Sequence, residues 1–238
     1  MSGWKAKRFW KEAVVVAVDG GFSVHLDGRT VKTPAKTALI VPTRAMAAAI
    51  AAEWDAQTGE VDPRTMPVTR GANAALDKVA HQHAEVAQMI ADYGDSDLLC
   101  YRATGPAELI ARQAAGWDPV LEWAAHTLQA RLHAAHGVMH HPQDPDALTL
   151  LSARVHAFDD FELAAFHDLV SLSGSLILGF AVEAGHLPVD AAWQLSRIDE
   201  DWQIEQWGED EEAMSMAATK RSAFLQAKTF LDLARAPD

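Results

Sequence analysis

Cysteine is nearly absent from this chain: Cys100 is the single one among 238 residues. No internal disulfide framework is possible, and a reducing compartment is the simpler expectation. Positive charge is scarce as well, with 20 Lys and Arg against 33 Asp and Glu and a formal net charge of -13. A surface of that sign repels nucleic acid and anionic lipid, so neither is expected as the main partner, whereas a basic protein surface is compatible. Long apolar runs are missing too. The most apolar stretch, Leu169 to Val182, is shorter than a membrane span and carries Ser171, Ser173 and Ser175, which favours a buried helix. Neither Asp19-Gly20-Gly21 nor Ser173-Gly174-Ser175 matches a phosphate-cradling or dinucleotide loop, and the nucleophile-elbow motif does not occur. The N-terminus imitates a secretion signal, with Lys5, Lys7, Arg8 and Lys11 before Ala13 to Val18. That run is too short and meets Asp19-Gly20-Gly21 instead of a cleavage site, so it reads as a strand.

What is present falls into two parts. From Trp10 to Pro42, short β-branched or alternating runs (Ala13 to Val18, Phe22 to Leu26, Arg29 to Thr33, Ala38 to Val41) are separated by turn residues, with Asp27-Gly28 as the strongest hairpin signal. A small antiparallel sheet is expected. Thr43 is a candidate N-cap for an Ala-rich helix from Arg44 to Thr58. Asp62-Pro63 and Met66-Pro67 then interrupt the chain, and a domain boundary is expected there, giving residues 1–67 and 68–238. Beyond Pro67 the segments have helical spacing: Thr69 to Tyr93, Pro106 to Ala115, Pro119 to Ala135, Asp146 to Ala157, Asp159 to Leu172, Ser175 to Gly185, Pro188 to Trp207 and Met214 to Ala234. Breaks are expected at Gly94, Gly105, Gly116, Gly137 and Pro142 among others. Strands followed by helices predict an α+β chain: a small mixed N-terminal domain and a helical-bundle C-terminal domain.

The composition of Ser196 to Glu212 stands apart. No basic residue lies between Arg197 and Lys220, while Asp199, Glu200, Asp201, Glu205, Glu209, Asp210, Glu211 and Glu212 alternate with Trp202, Ile204 and Trp207. Leu195, Ile198 and Trp202 recur at helical spacing. Like charges at i,i+4, such as Asp201 and Glu205, disfavour an isolated helix, so an external source of compensation is expected. A solvated acidic helix end is the plain explanation. A docking surface for an arginine-bearing partner, with tryptophans as anchors, is the sharper one. Trp54, Trp117, Trp123, Trp193 and Trp202 are expected mostly in the core, and Trp207, beside Gly208, is the tryptophan expected to be exposed.

Other clusters carry less. His133, His136, His140 and His141 suggest a metal-dependent hydrolase as a rival, but no glutamate accompanies the pair in the zincin manner and Gly137 and Pro142 interrupt the segment. Two apart, His81 and His83 face different sides of a helix. Asp92, Asp95 and Asp97 lack the glycine and terminal glutamate of a calcium loop, so Asp97 reads as an N-cap before Leu98-Leu99. Cys100, between Leu99 and Tyr101, reads as a buried small apolar residue, not a nucleophile.

Several segments, taken in order, resemble the assembly chaperone family of the ATP synthase catalytic head, which binds the alpha subunit of the F1 sector. They are Lys7-Arg8-Phe9-Trp10-Lys11, Leu26-Asp27-Gly28-Arg29 with Lys32-Thr33-Pro34, Ala52-Glu53-Trp54-Asp55-Ala56-Gln57, Met66-Pro67-Val68-Thr69, Asp97-Leu98-Leu99-Cys100-Tyr101-Arg102, Trp117-Asp118-Pro119, and Ser196-Arg197 onward to Trp207-Gly208. The resemblance implies a two-domain, ATP-independent chaperone without catalysis or cofactor, whose client is the unassembled alpha subunit. It implies a functional acidic residue at Glu200 first and Asp199 second, and the acidic-aromatic stretch adds Trp202, Gln203, Trp207 and Glu209 as expected client-binding residues. Gly94-Asp95-Ser96 departs from the leucine-and-threonine version usual in the family. The segment after Gly208 is more acidic and lacks the histidine-aspartate ending of mitochondrial members. With no presequence and an Ala- and Arg-rich style, the chain is expected to be a bacterial cytoplasmic member. A helical scaffold for another basic protein is the remaining alternative.

Overall fold

The structure is a computed structural model that describes residues 7–137 and 139–237; Lys5 lies outside them. The chain divides into two compact units. Of the described residues, the first takes 7–83 together with Asp159–Ala165 and 229–237, and the second takes Ala84–Phe158 and Phe166–Lys228, Val138 apart. Met66-Pro67 therefore falls inside the first unit, where Pro67 opens a helix.

The first unit begins with β1 (Ala13–Val18) and β2 (Gly21–Leu26), antiparallel over six residue pairs from Ala13 against Leu26 to Val18 against Gly21. Strand β3 (Arg29–Thr30) follows through the two-residue turn Asp27-Gly28, both at positive φ (47° and 81°), the geometry such a turn requires. The Asp27 carboxylate accepts from the Lys11 and Glu12 backbone N–H groups, and these bonds, the one from Glu12 foremost, hold its pKa below the usual carboxylate value. Strand β4 (Ile40–Val41) pairs back onto β2. Helix α1 (Arg44–Asp55) starts at Thr43, whose hydroxyl accepts from Met46 N–H, and covers the sheet with Met46, Ala47 and Ile50, all fully buried. Helix α2 (Pro67–Asp77) has no cap of its own. Its free N–H groups at Val68 and Thr69 donate to the Glu53 carboxylate at 2.7 and 2.8 Å, and the Thr69 hydroxyl donates to it at 2.6 Å.

The second unit is helical, as expected: α3 (His83–Ala91), α4 (Ala107–Trp123), α5 (Pro145–His156), α6 (Asp160–Ser173), α7 (Leu176–Glu183), α8 (Val189–Ser196), α9 (Ile198–Trp207) and α10 (Glu211–Ala234), with α3, α6 and α10 running partly in the first. Two short strands, β5 (Tyr101–Arg102) and β6 (Ala135–His136), pair in parallel. The predicted helix to Ala135 instead passes through one π turn, Ala124–Leu128, and stops at left-handed Gln129. Beyond it, Gln143 holds the His133 backbone N–H and C=O with its side-chain amide, which keeps the chain extended.

Gly116 and Pro119 do not divide α4. A Cβ on Gly116 would lie 2.8 Å from Ile198 Cδ1 and 3.0 Å from Leu195 Cδ2, so the glycine permits close packing instead of ending the helix. Trp117 is fully buried and its indole N–H donates to Leu195 C=O at 2.8 Å. These contacts outweigh the single hydrogen bond that Pro119 removes. The stretch Leu169 to Val182 is the last turn of α6, with Ser171 exposed, and the buried α7, joined through Gly174 (φ 73°). Ser175 caps α7 by accepting from Leu178 N–H, and Gly179 lets Val170 and Phe166 approach closely.

Candidate functional site

The acidic stretch forms α9 and the start of α10, and Arg197 separates α8 from α9 where one continuous helix was expected. The compensation missing from its own sequence comes from α4. Arg112 holds the Glu205 carboxylate through two hydrogen bonds of 2.8 and 2.9 Å, and its guanidinium carbon lies 5.1 Å from the centre of the Trp202 ring. The hydrogen bond from Arg112 is the main reason the Glu205 pKa falls below its usual value. Asp199 accepts from the buried Gln113 amide at 2.6 Å, and Arg197 lies 3.2 Å from Glu200 and 4.0 Å from Asp201. Nothing in the sequence pattern flags Arg112 or Gln113, because both lie more than 80 residues away on another helix.

Helix α9 walls several grooves, and two of them reach Trp207. One, about 400 Å³, has Asp199, Trp202 and Gln203 on its α9 wall and Leu109 and Gln113 opposite. The other, about 420 Å³, has Glu200, Gln203 and Ile204 on its α9 wall and Ala213, Met216 and Ala217 of α10 opposite. Trp207 borders both. It is 79% exposed, as expected from its place beside Gly208, while Trp117 and Trp193 are core and Trp123 stacks on His186. The structure thus brings Glu200, Gln203 and Trp207 together on a solvent-facing edge, places Asp199 and Trp202 against α4, and leaves Glu209 exposed in the turn before α10.

The histidines do not converge. His140 lies 3.2 Å from the Asp95 carboxylate and 3.2 Å from the Tyr101 hydroxyl, whereas His136 sits in β6 and His133 is exposed. Among the described residues no three His, Cys, Asp or Glu side chains are grouped to hold a metal ion. Cys100 is buried, and burial pushes its thiol up to about 12, which makes it inert. Asp97 caps the turn at Leu98, accepting from Leu99 N–H, and its second oxygen accepts from Ile177 N–H at the start of α7. Among the described residues no helix is long and apolar enough to cross a membrane.

A family model described as ATP12 chaperone protein matches residues 7–125. The chain belongs to the ATP12 chaperone family. The crystal structure of Atp12 from Paracoccus denitrificans superimposes with a TM-score of 0.95 at 50% identity, over 98% of this chain and all of that one. An aspartate-to-lysine mutant of the same Paracoccus protein gives 0.96 at 49% identity, with the same coverage. Across a wider distance, the mitochondrial protein atp12 of Schizosaccharomyces pombe is 26% identical over 219 residues, covering 87% of this chain and 75% of the relative. The family is that of the ATP synthase assembly chaperones which the sequence segments resemble, and membership makes this chain a chaperone, not an enzyme. Several of the ATP12-like segments have structural work. Glu53 caps the helix that Met66-Pro67-Val68-Thr69 opens. Arg102 lies over the Trp117 ring at 5.3 Å and pairs with Asp118 at 2.7 Å, tying two segments together.

Proposed function

We propose that this ATP12-family chaperone binds the unassembled alpha subunit of the ATP synthase F1 sector and shields the surface that later meets the beta subunit. On this reading an isolated alpha subunit would expose an apolar, arginine-bearing surface, and exposed patches of that kind aggregate. Support comes from α9: an exposed Trp207 stands beside Glu200 and above the acidic turn Gly208–Glu212, so an apolar anchor and negative charge share one edge. An anchor of this type supplies affinity in the centre of an interface, while the carboxylates speed encounter and set orientation. Release would follow from competition by beta for the same surface, with no nucleotide needed.

The experiment is light scattering of freshly diluted alpha subunit with and without an equimolar amount of this protein. Suppressed aggregation by the wild type and loss of suppression in Glu200→Lys is the expected pair of results. Aggregation that proceeds unchanged with the wild type would sink the client assignment. Full suppression by a Glu200→Lys and Asp199→Lys double variant would instead sink the site.

A further inference from the structure

The two grooves that Trp207 borders differ in chemistry, and that difference selects a side. Toward α4, Asp199 is engaged by Gln113, Glu205 by Arg112, and the Trp202 ring by the same guanidinium, whereas toward α10 Glu200 pairs with Arg197 and stays exposed to solvent. Toward α10, the small side chains of Ala213 and Ala217, one turn apart, leave a depression, and its borders carry Trp207 and Met216, 79% and 56% exposed. We propose that the groove between α9 and α10 is the seat of the client segment, and that this segment presents aliphatic side chains flanked by arginine or lysine. The inference rests on the client reading above and goes beyond it in naming the α10 wall and the chemistry of the segment.

Charge argues for the occupant. At one end of the groove the chain turns through Gly208 and Asp210 into Glu211 and Glu212, with exposed Glu209 between; Glu200 lines the α9 wall, paired with Arg197 at 3.2 Å, and Lys220 lines the α10 wall about two turns beyond Ala213. Asp210 is occupied in capping α10, where it accepts from Ala213 N–H at 3.0 Å. Glu211 and Glu212 favour the helix start, but that interaction leaves their charge facing solvent. An apolar slot with such an end fits an aliphatic side chain whose neighbouring cation lies at the acidic turn, away from Lys220. Met216 adds an unbranched thioether that adapts to the shape of an inserted side chain.

The test labels the methionine methyl groups with carbon-13 and adds isolated alpha subunit, with sedimentation to establish whether a complex forms. Met89 and Met139 are exposed elsewhere and serve as internal controls. In the complex the Met216 signal shifts or broadens while Met89 and Met139 keep their positions. Ala213→Lys, an exposed helix position, fills the groove with a cation and weakens the complex about tenfold or more, the scale of a hot-spot loss. A complex that forms with the Met216 signal unchanged and with Ala213→Lys as tight as wild type overturns the groove and spares the client reading. Failure to form any complex overturns the client reading itself, and the groove with it.

Discussion

Arg112 on α4 grips Glu205 on α9 through two parallel hydrogen bonds, and Arg197 lies 4.0 Å from Asp201, one turn before it. The like charges at 201 and 205 are tolerated because Arg197 lies beside the first and Arg112 holds the second. Arg112→Ala is expected to loosen the last turns of α9. Backbone amides from Ile204 to Trp207 then exchange with solvent a few-fold faster, the modest scale of an exposed pair. Glu205→Gln should have the same sign, and the double variant should add little. Exchange rates equal to wild type in both single variants would mean that α9 is held by Ile198 packing alone.

Glu53 is a shared cap: one carboxylate takes three donors from the start of α2. Glu53→Ala strands those donors and should cost about 2 kcal/mol in urea unfolding, the upper range for a lost cap. Glu53→Gln keeps one accepting oxygen and should recover part of that loss. Equal stability of the two variants would show that the carboxylate charge, not the number of acceptors, holds the helix.

Gly179, like Gly116, is a close-contact glycine of the second unit. A Cβ there would stand 2.8 Å from Val170 Cγ2 and 3.2 Å from the Phe166 ring. Val170 has little rotamer freedom, so the strain is not easily relieved. Overpacking costs about 1–3 kcal/mol, and exchanging glycine for alanine in a helix returns about 1 kcal/mol. Gly179→Ala is therefore expected to be less stable by about 1 kcal/mol in equilibrium unfolding. A more stable variant would show that the two helices can separate slightly at no cost.

These three sites show which parts of the fold can be read from sequence. The Asp27-Gly28 turn, the Thr43 cap and the exposure of Trp207 depend on neighbouring residues, and their residue types announce them. Gly116 and Pro119 mislead for the opposite reason: locally they are helix breakers, and the contacts of Gly116 and Trp117 with Leu195 and Ile198, residues distant in sequence, hold the helix together. The β5 and β6 pair is two residues long on each side, too short to leave a periodic pattern. At the candidate site the anionic ridge was legible as composition. Its division into an engaged face and an open face was not, because Arg112, Gln113 and Met216 lie on other helices.

Asp97 gives a pH dependence of unusual sign. Its carboxyl is fully buried, and burial raises its pKa from 3.8 to about 6, against the pull of backbone hydrogen bonds from Ile177 and Leu99. The folded state therefore binds the proton more tightly than the unfolded chain does. Stability from this group is fully present below the unfolded pKa, is lost as pH rises, and is gone above about 6. Most carboxylates in a folded protein act in the other direction, so the effect must be isolated by comparison with Asp97→Asn, in which position 97 does not titrate. Between about pH 4 and pH 7 the stability of wild type relative to Asp97→Asn should fall by an amount on the order of 3 kcal/mol, read from urea unfolding at several pH values. If wild type instead gains on the variant as pH rises, the helix start at Ile177 stabilises the carboxylate more than burial penalises it, and Asp97 is an anionic cap at neutral pH.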